Sequence, residues 1–160
     1  MDPLAFEFYW EDFPVGQTRA MGRHRFTEEE IVAFARQYDR QRFHLDAESA
    51  RDTPFGGLIA SGWHTCVVAM RGMCDAYLSR SACLGSPGLD GLRWLKPVRP
   101  GDEIAFRAKV LASRPSSSKP ELGLTKFLWD AVNDAGEQVL AMEGWQLFAR
   151  REPGADPSGR

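Results

Sequence analysis

Asp39 and His44 lie five residues apart in the stretch Tyr38-Asp39-Arg40-Gln41-Arg42-Phe43-His44. A histidine is close to its pKa at neutral pH and can give or take a proton. A nearby aspartate can orient it or act as a second acid or base. The pair also has a purely structural reading, with Asp39 satisfying backbone amides at a helix end and His44 packed in a loop. Spacing alone does not choose between the two. Glycines follow at once, in Gly56-Gly57-Leu58-Ile59-Ala60-Ser61-Gly62. Gly57 to Gly62 has phosphate-loop spacing, but Trp63-His64 occupies the place of the required Lys-Ser/Thr, which argues against phosphate binding. Ser61 is not in a G-x-S-x-G elbow, which disfavours a serine hydrolase. His24, His44 and His64 lack metal-ligand spacing, so no metal site is read.

Two helices must position these residues. Thr27-Glu28-Glu29-Glu30 is a capping box, with Phe26 and Ile31 placed as a hydrophobic staple. Ile31, Phe34, Ala35 and Tyr38 then recur on one helical face, so this helix should stop near Tyr38 and leave Asp39 at its end or in the next loop. Asp46 can cap a short helix that ends before Thr53-Pro54. Ser61 is the candidate N-cap of a longer helix. Trp63, Val67, Met70, Cys74 and Tyr77 form one apolar stripe on it, and Cys66, Ala69, Met73 and Ala76 a second. So wide an apolar circumference predicts a helix largely surrounded by protein, with Trp63 and Trp94 in the core.

From Leu89 onward the period changes to two. Leu92 and Trp94, then Ile104, Phe106, Ala108 and Val110, alternate with polar neighbours, and Arg99-Pro100-Gly101-Asp102 supplies a type II turn between them. A third strand is predicted over Leu122 to Val132. A fourth follows, with Val139, Ala141, Glu143, Trp145 and Leu147 on one face, and a further strand is read near Gln17 to Arg25. The class is α+β, one antiparallel sheet with one long helix.

The totals narrow the function. A chain of 160 residues is the size of one domain, read as 1–150 with a frayed tail at 151–160. Hydrophobic residues make up 43% and charged residues 26%, which are ordinary globular values. Twenty basic and 22 acidic side chains leave a net charge of −2 with no basic stripe, so no nucleic-acid partner is expected. No apolar run approaches the ~20 residues of a membrane span, and the start lacks the positive n-region of a signal peptide. Cys66, Cys74 and Cys83 are odd in number and lack CxxC spacing, which fits a reduced chain in the cytoplasm.

Three segments in order carry a resemblance: Asp39 to Asp46, Phe55 to Gly62, and Leu92-Arg93-Trp94-Leu95-Lys96-Pro97-Val98-Arg99-Pro100-Gly101-Asp102. Together they resemble the MaoC-like dehydratases, the (R)-specific enoyl-CoA hydratases, over about Phe6 to Arg150. The resemblance implies a hot-dog fold, a curved antiparallel sheet wrapped around a long central helix. It implies that Asp39 and His44 are the acid/base pair, and that the Gly62 amide bonds the thioester oxygen at a helix N-terminus. The substrate would be an acyl-CoA or related thioester. Coenzyme A would enter only as part of that substrate, with no metal or redox cofactor, and the protein would be a homodimer. The family usually has proline between the aspartate and histidine. Here Arg40, Gln41 and Arg42 fill that stretch, and the two arginines have two readings, solvated surface or contacts with coenzyme A phosphates. Ser61 is placed with the substrate-binding residues, as is His64, which could line the pocket or bond locally. A hot-dog thioesterase and a catalytically weak thioester-binding protein remain as alternatives.

Overall fold

Eight residues of β1, Thr18–Arg25, open the regular structure, after a single 3-10 turn at Trp10–Asp12. The computed structural model describes residues 5–154. Helix α1 spans Glu28–Tyr38 and begins as the capping box predicts, with the Thr27 hydroxyl accepting from the Glu30 amide at 3.2 Å. Both members of the staple, Phe26 and Ile31, are fully buried. Two one-turn helices follow, α2 at Arg42–Leu45 and α3 at Ala47–Ala50, the latter capped by Asp46 through the Ser49 amide at 2.8 Å. His44 therefore sits on a helical turn rather than in a loop. Helix α4, Gly62–Ala76, is the long one, and Ser61 is its N-cap.

Strands β2 (Cys83–Gly85), β3 (Leu89–Trp94), β4 (Glu103–Pro115), β5 (Leu122–Val132) and β6 (Gln138–Ala149) complete a six-stranded sheet. Its order is β1-β4-β5-β6-β2, with β3 also paired to β6, and every strand pair is antiparallel. The alternation in β4 is observed as predicted: Ile104, Phe106, Ala108 and Val110 are all buried. In β6 the residues Ala141, Glu143, Trp145 and Leu147 do share a face, but the core takes the other one, with Leu140, Met142 and Phe148. Strand β2 was not read from the sequence. It is three residues long and offers no period to detect.

One core joins sheet and helix. Val68, Ala69 and Met73 of α4 pack with Phe106, Phe127, Trp129, Met142 and Phe148, each buried Val, Met or Phe side chain contributing about 1.5–3 kcal/mol. Gly72 brings the helix against β1, since a Cβ there would meet the Met21 carbonyl oxygen at 2.5 Å. This is the sheet-around-helix arrangement the resemblance implies.

The expectation that α4 is surrounded on most of its circumference does not hold. Trp63, Val67 and Met70 are about half exposed, and Trp94 is 47% exposed. The sheet of a single chain covers one side of the helix, and this stripe lies on the other. Neither Trp63 nor Trp94 is a core residue. Tyr77 leaves the helix at its C-cap and is fully buried, bonded to Gln146 and Trp129. At the far end Arg151 is tied to Glu11 and Asp12; the rest of the expected frayed tail, 155–160, lies outside the described residues.

Candidate active site

Asp39 is the C-cap of α1, and both oxygens of its carboxylate accept hydrogen bonds. Oδ2 accepts from the Ser61 hydroxyl at 2.7 Å and Oδ1 from the Gln41 side chain at 2.8 Å. Burial pushes the Asp39 carboxyl up, but these two hydrogen bonds and the neighbouring His44 outweigh it and hold the group below the ordinary aspartate value. It is a carboxylate at neutral pH.

His44 is 4% exposed. Its Nδ1 lies 2.7 Å from the Ile59 carbonyl oxygen. A carbonyl can only accept, so Nδ1 carries a hydrogen, and Nε2 is the ring atom left to exchange a proton with the site. That Nε2 lies 3.3 Å from Asp39 Oδ2. The Ile59 amide in turn donates to the Phe43 carbonyl at 3.0 Å, so the turn carrying His44 is strapped to the strand-like segment leading into α4.

The first turn of α4 supplies the third element. The Trp63 amide uses the Ser61 hydroxyl, and the His64 and Thr65 amides use the Ser61 carbonyl. The Gly62 amide has no acceptor among the described residues. An unpaired N–H at a helix start is positively polarised and suits a developing negative oxygen. Asp39, His44 and Gly62 line one cavity of about 470 Å³, with Phe43, Phe55 and Thr65 on its walls and Trp94 and Lys96 at its rim.

The remaining predicted site residues do not line that cavity. Ser61 is fully buried and has its hydroxyl occupied by Asp39 and the Trp63 amide, so it positions the site. Arg40 is exposed and donates to the Arg36 carbonyl at the end of α1, and Arg42 is exposed on α2. His64 turns the other way. It stacks on Phe34 with ring centroids 4.8 Å apart, and its Nε2 lies 3.3 Å from Glu30 Oε1, the oxygen that also holds His24 at 2.5 Å. Burial, helped by His24 and Arg71 and opposed by Glu30, pulls His64 below the ordinary histidine value.

A model described as MaoC like domain matches residues 13–126. The chain belongs to the MaoC-like domain family. Its sequence is 31% identical over 137 residues to a 3-hydroxybutyryl-CoA dehydratase of Methylorubrum extorquens, covering 82% of each chain. The crystal structure of a MaoC-like dehydratase from Rhodospirillum rubrum matches with a TM-score of 0.84 at 39% identity, over 91% of this chain and 99% of that one. A double-hotdog-fold protein of Mycobacterium tuberculosis matches with a TM-score of 0.74 at 22% identity, over 94% of this chain and 47% of that one. The MaoC-like domain described here thus has the hot-dog fold, and the comparisons support dehydratase or hydratase chemistry in the broad sense.

Several contributors to this MaoC-like site escape sequence reasoning. Gln41 holds Asp39 from within the stretch where the family usually has proline. Ile59 sets the tautomer of His44 through a main-chain atom, which no residue type announces. Lys96 sits in the Lys-Pro-Val-Arg-Pro-Gly-Asp motif, and its rim position, ion-paired to Glu137, could have been suspected from there.

Proposed function

We propose that the protein is an (R)-specific hydro-lyase acting on an enoyl thioester, adding water across the double bond and, in reverse, removing it. The observation that carries this reading is the convergence of Asp39, His44 and the Gly62 amide on one cavity. The thioester oxygen would take the Gly62 N–H, which polarises the double bond towards C3. Water held by ionised Asp39 would give a proton to His44 Nε2 as its oxygen bonds to C3. The π pair moves to C2, with its charge spread onto the thioester oxygen. The His44 imidazolium, steadied by Asp39, then delivers its proton to C2 on the same face, which regenerates the neutral ring. The substrate supplies its own carbonyl activation. Contacts between Arg40 or Arg42 and coenzyme A phosphates would be made on the surface beside α1 and α2, outside the cavity.

A second copy of the chain is the proposed partner. Trp63, Val67 and Met70 on α4 and Leu84 and Leu89 on the β2–β3 edge leave a broad apolar surface open in the single chain. The three thiols, free and each partly buried, fit the cytoplasm.

One assay tests the reaction. Purified protein with crotonyl-CoA should lower the ultraviolet absorbance of the enoyl thioester without releasing thiol. Thiol release would show a thioesterase instead, and neither change would leave a thioester-binding protein.

A further inference from the structure

Gly62 is paired with Trp94. A Cβ added at Gly62 would overlap the Trp94 indole, which therefore lies flat on the first turn of α4. Backbone conformation does not call for glycine there: Gly62 is not among the positive-φ positions, and glycine in a helix forfeits up to about 1 kcal/mol relative to alanine. The indole is held on two further sides. It lies beside the Cys66 thiol, one turn along α4. It also meets the Trp63 ring edge-on, with centroids 5.1 Å apart at 78°. A tryptophan at the last position of an edge strand, 47% exposed, would ordinarily have many rotamers. This one is a fixed panel.

That panel stands beside the amide that the proposed function assigns to the thioester oxygen. The buried side chains Ala60, Thr65, Val98 and Val139 line the same cavity. An acyl group entering with its carbonyl at Gly62 has the indole on one flank and these side chains to pack against. We infer that Trp94 is a specificity-determining residue that restricts the site to short, unbranched acyl thioesters. This rests on the hydro-lyase reading for the placement of the carbonyl, and on the packing of Gly62 against Trp94 for the restriction itself.

Binding of saturated acyl-CoAs, which have no double bond to hydrate, tests the inference separately from turnover. Calorimetric titration of the wild-type protein with butyryl-, hexanoyl- and octanoyl-CoA should show affinity falling with length. Trp94→Ala should improve octanoyl-CoA binding by about tenfold or more relative to butyryl-CoA, the scale on which pockets discriminate added methylenes. Trp94→Phe keeps a flat but smaller ring and should shift the series the same way by less; if the alanine variant does not fold, this variant decides. An unchanged ranking, or the same factor for all three ligands, overturns the inference by making Trp94 structural only. Absence of binding by any of the three overturns it too. A constant crotonyl-CoA absorbance alongside a shifted binding series would instead sink the hydro-lyase reading and leave Trp94 as the acyl-size determinant.

Discussion

The Ser61 hydroxyl donates to Asp39 Oδ2 at 2.7 Å and accepts from the Trp63 amide at 3.3 Å, so one side chain caps α4 and fixes the carboxylate that ends α1. Ser61→Ala should weaken both. Hydrogen bonds to charged groups contribute about 1.5–3 kcal/mol, and losing this one leaves burial to raise the Asp39 pKa. In the proposed mechanism Asp39 works ionised, so the acid limb of kcat/KM should move to higher pH. A pH–rate profile identical to wild type would show that Ser61 is only a helix cap. The sign for stability is the same. A carboxyl depressed in the folded state stabilises the protein above its unfolded pKa, and that contribution is lost as pH falls through the folded value.

Asp39 and His44 face each other at 3.3 Å and should act as a unit. Asp39→Asn and His44→Ala should each remove most turnover while the protein stays folded. The double variant should be little slower than either single one, because groups that share one step are non-additive. Losses that multiply would separate their roles.

The Gly62 amide needs a cleaner test than replacement in the wild-type background. Both alanine and proline add a Cβ where the Trp94 indole lies. With Trp94→Ala already in place, Gly62→Ala keeps the N–H and Gly62→Pro removes it at N1, where proline is tolerated. Ser61 has φ −57° and ψ 138°, the extended geometry that a following proline requires. Loss of one such donor typically costs about 10²–10³ in kcat. Similar kcat values for the two double variants would place the thioester oxygen elsewhere.

His64, His24, Glu30 and Arg71 link β1, α1 and α4 beneath the site. Glu30 Oε1 faces Nε2 of both histidines, and Arg71 donates to His24 Nδ1 at 3.0 Å. Both rings therefore carry hydrogen on Nε2 beside the carboxylate, and His64 Nδ1 is left buried without a partner among the described residues. A histidine depressed in the folded state binds fewer protons there than when unfolded. Its neutral form stabilises the fold at high pH, and stability falls as pH drops below the ordinary histidine range. The melting temperature should decline between about pH 7 and pH 5, at about 2–4 °C per kcal/mol for a chain of this size. His64→Phe, which keeps a ring against Phe34, should flatten that decline. An equally steep decline in the variant would assign it to other groups.

Legibility followed where physics is local. The cap of α1, the turn before β4 and the alternation of Ile104 to Val110 each depend on near neighbours in sequence, and all were read. The burial of Trp63 and Trp94 was misjudged because hydrophobicity records a preference for cover, not whether the same chain provides it. The Asp39/His44 pair was visible as residue types and in the family resemblance. The Gln41 and Ile59 bonds were not visible. One arises where the sequence departs from the family pattern, and the other uses a carbonyl that every residue has.

The two bonds between the His44 turn and Ile59 close a ring in the chain, with His44 and Ile59 fifteen positions apart. Once such a ring is closed at its base, its circumference matters little. Doubling a flexible loop costs only about 0.6 kcal/mol of closure entropy. The exposed pair Arg51-Asp52 sits at the far side of this ring. Residues inserted there would be absorbed as slack, while His44 stays in register with the helix that follows. The segment between α3 and α4 is therefore open to drift in length, or to a grafted peptide, without disturbing the site it encloses.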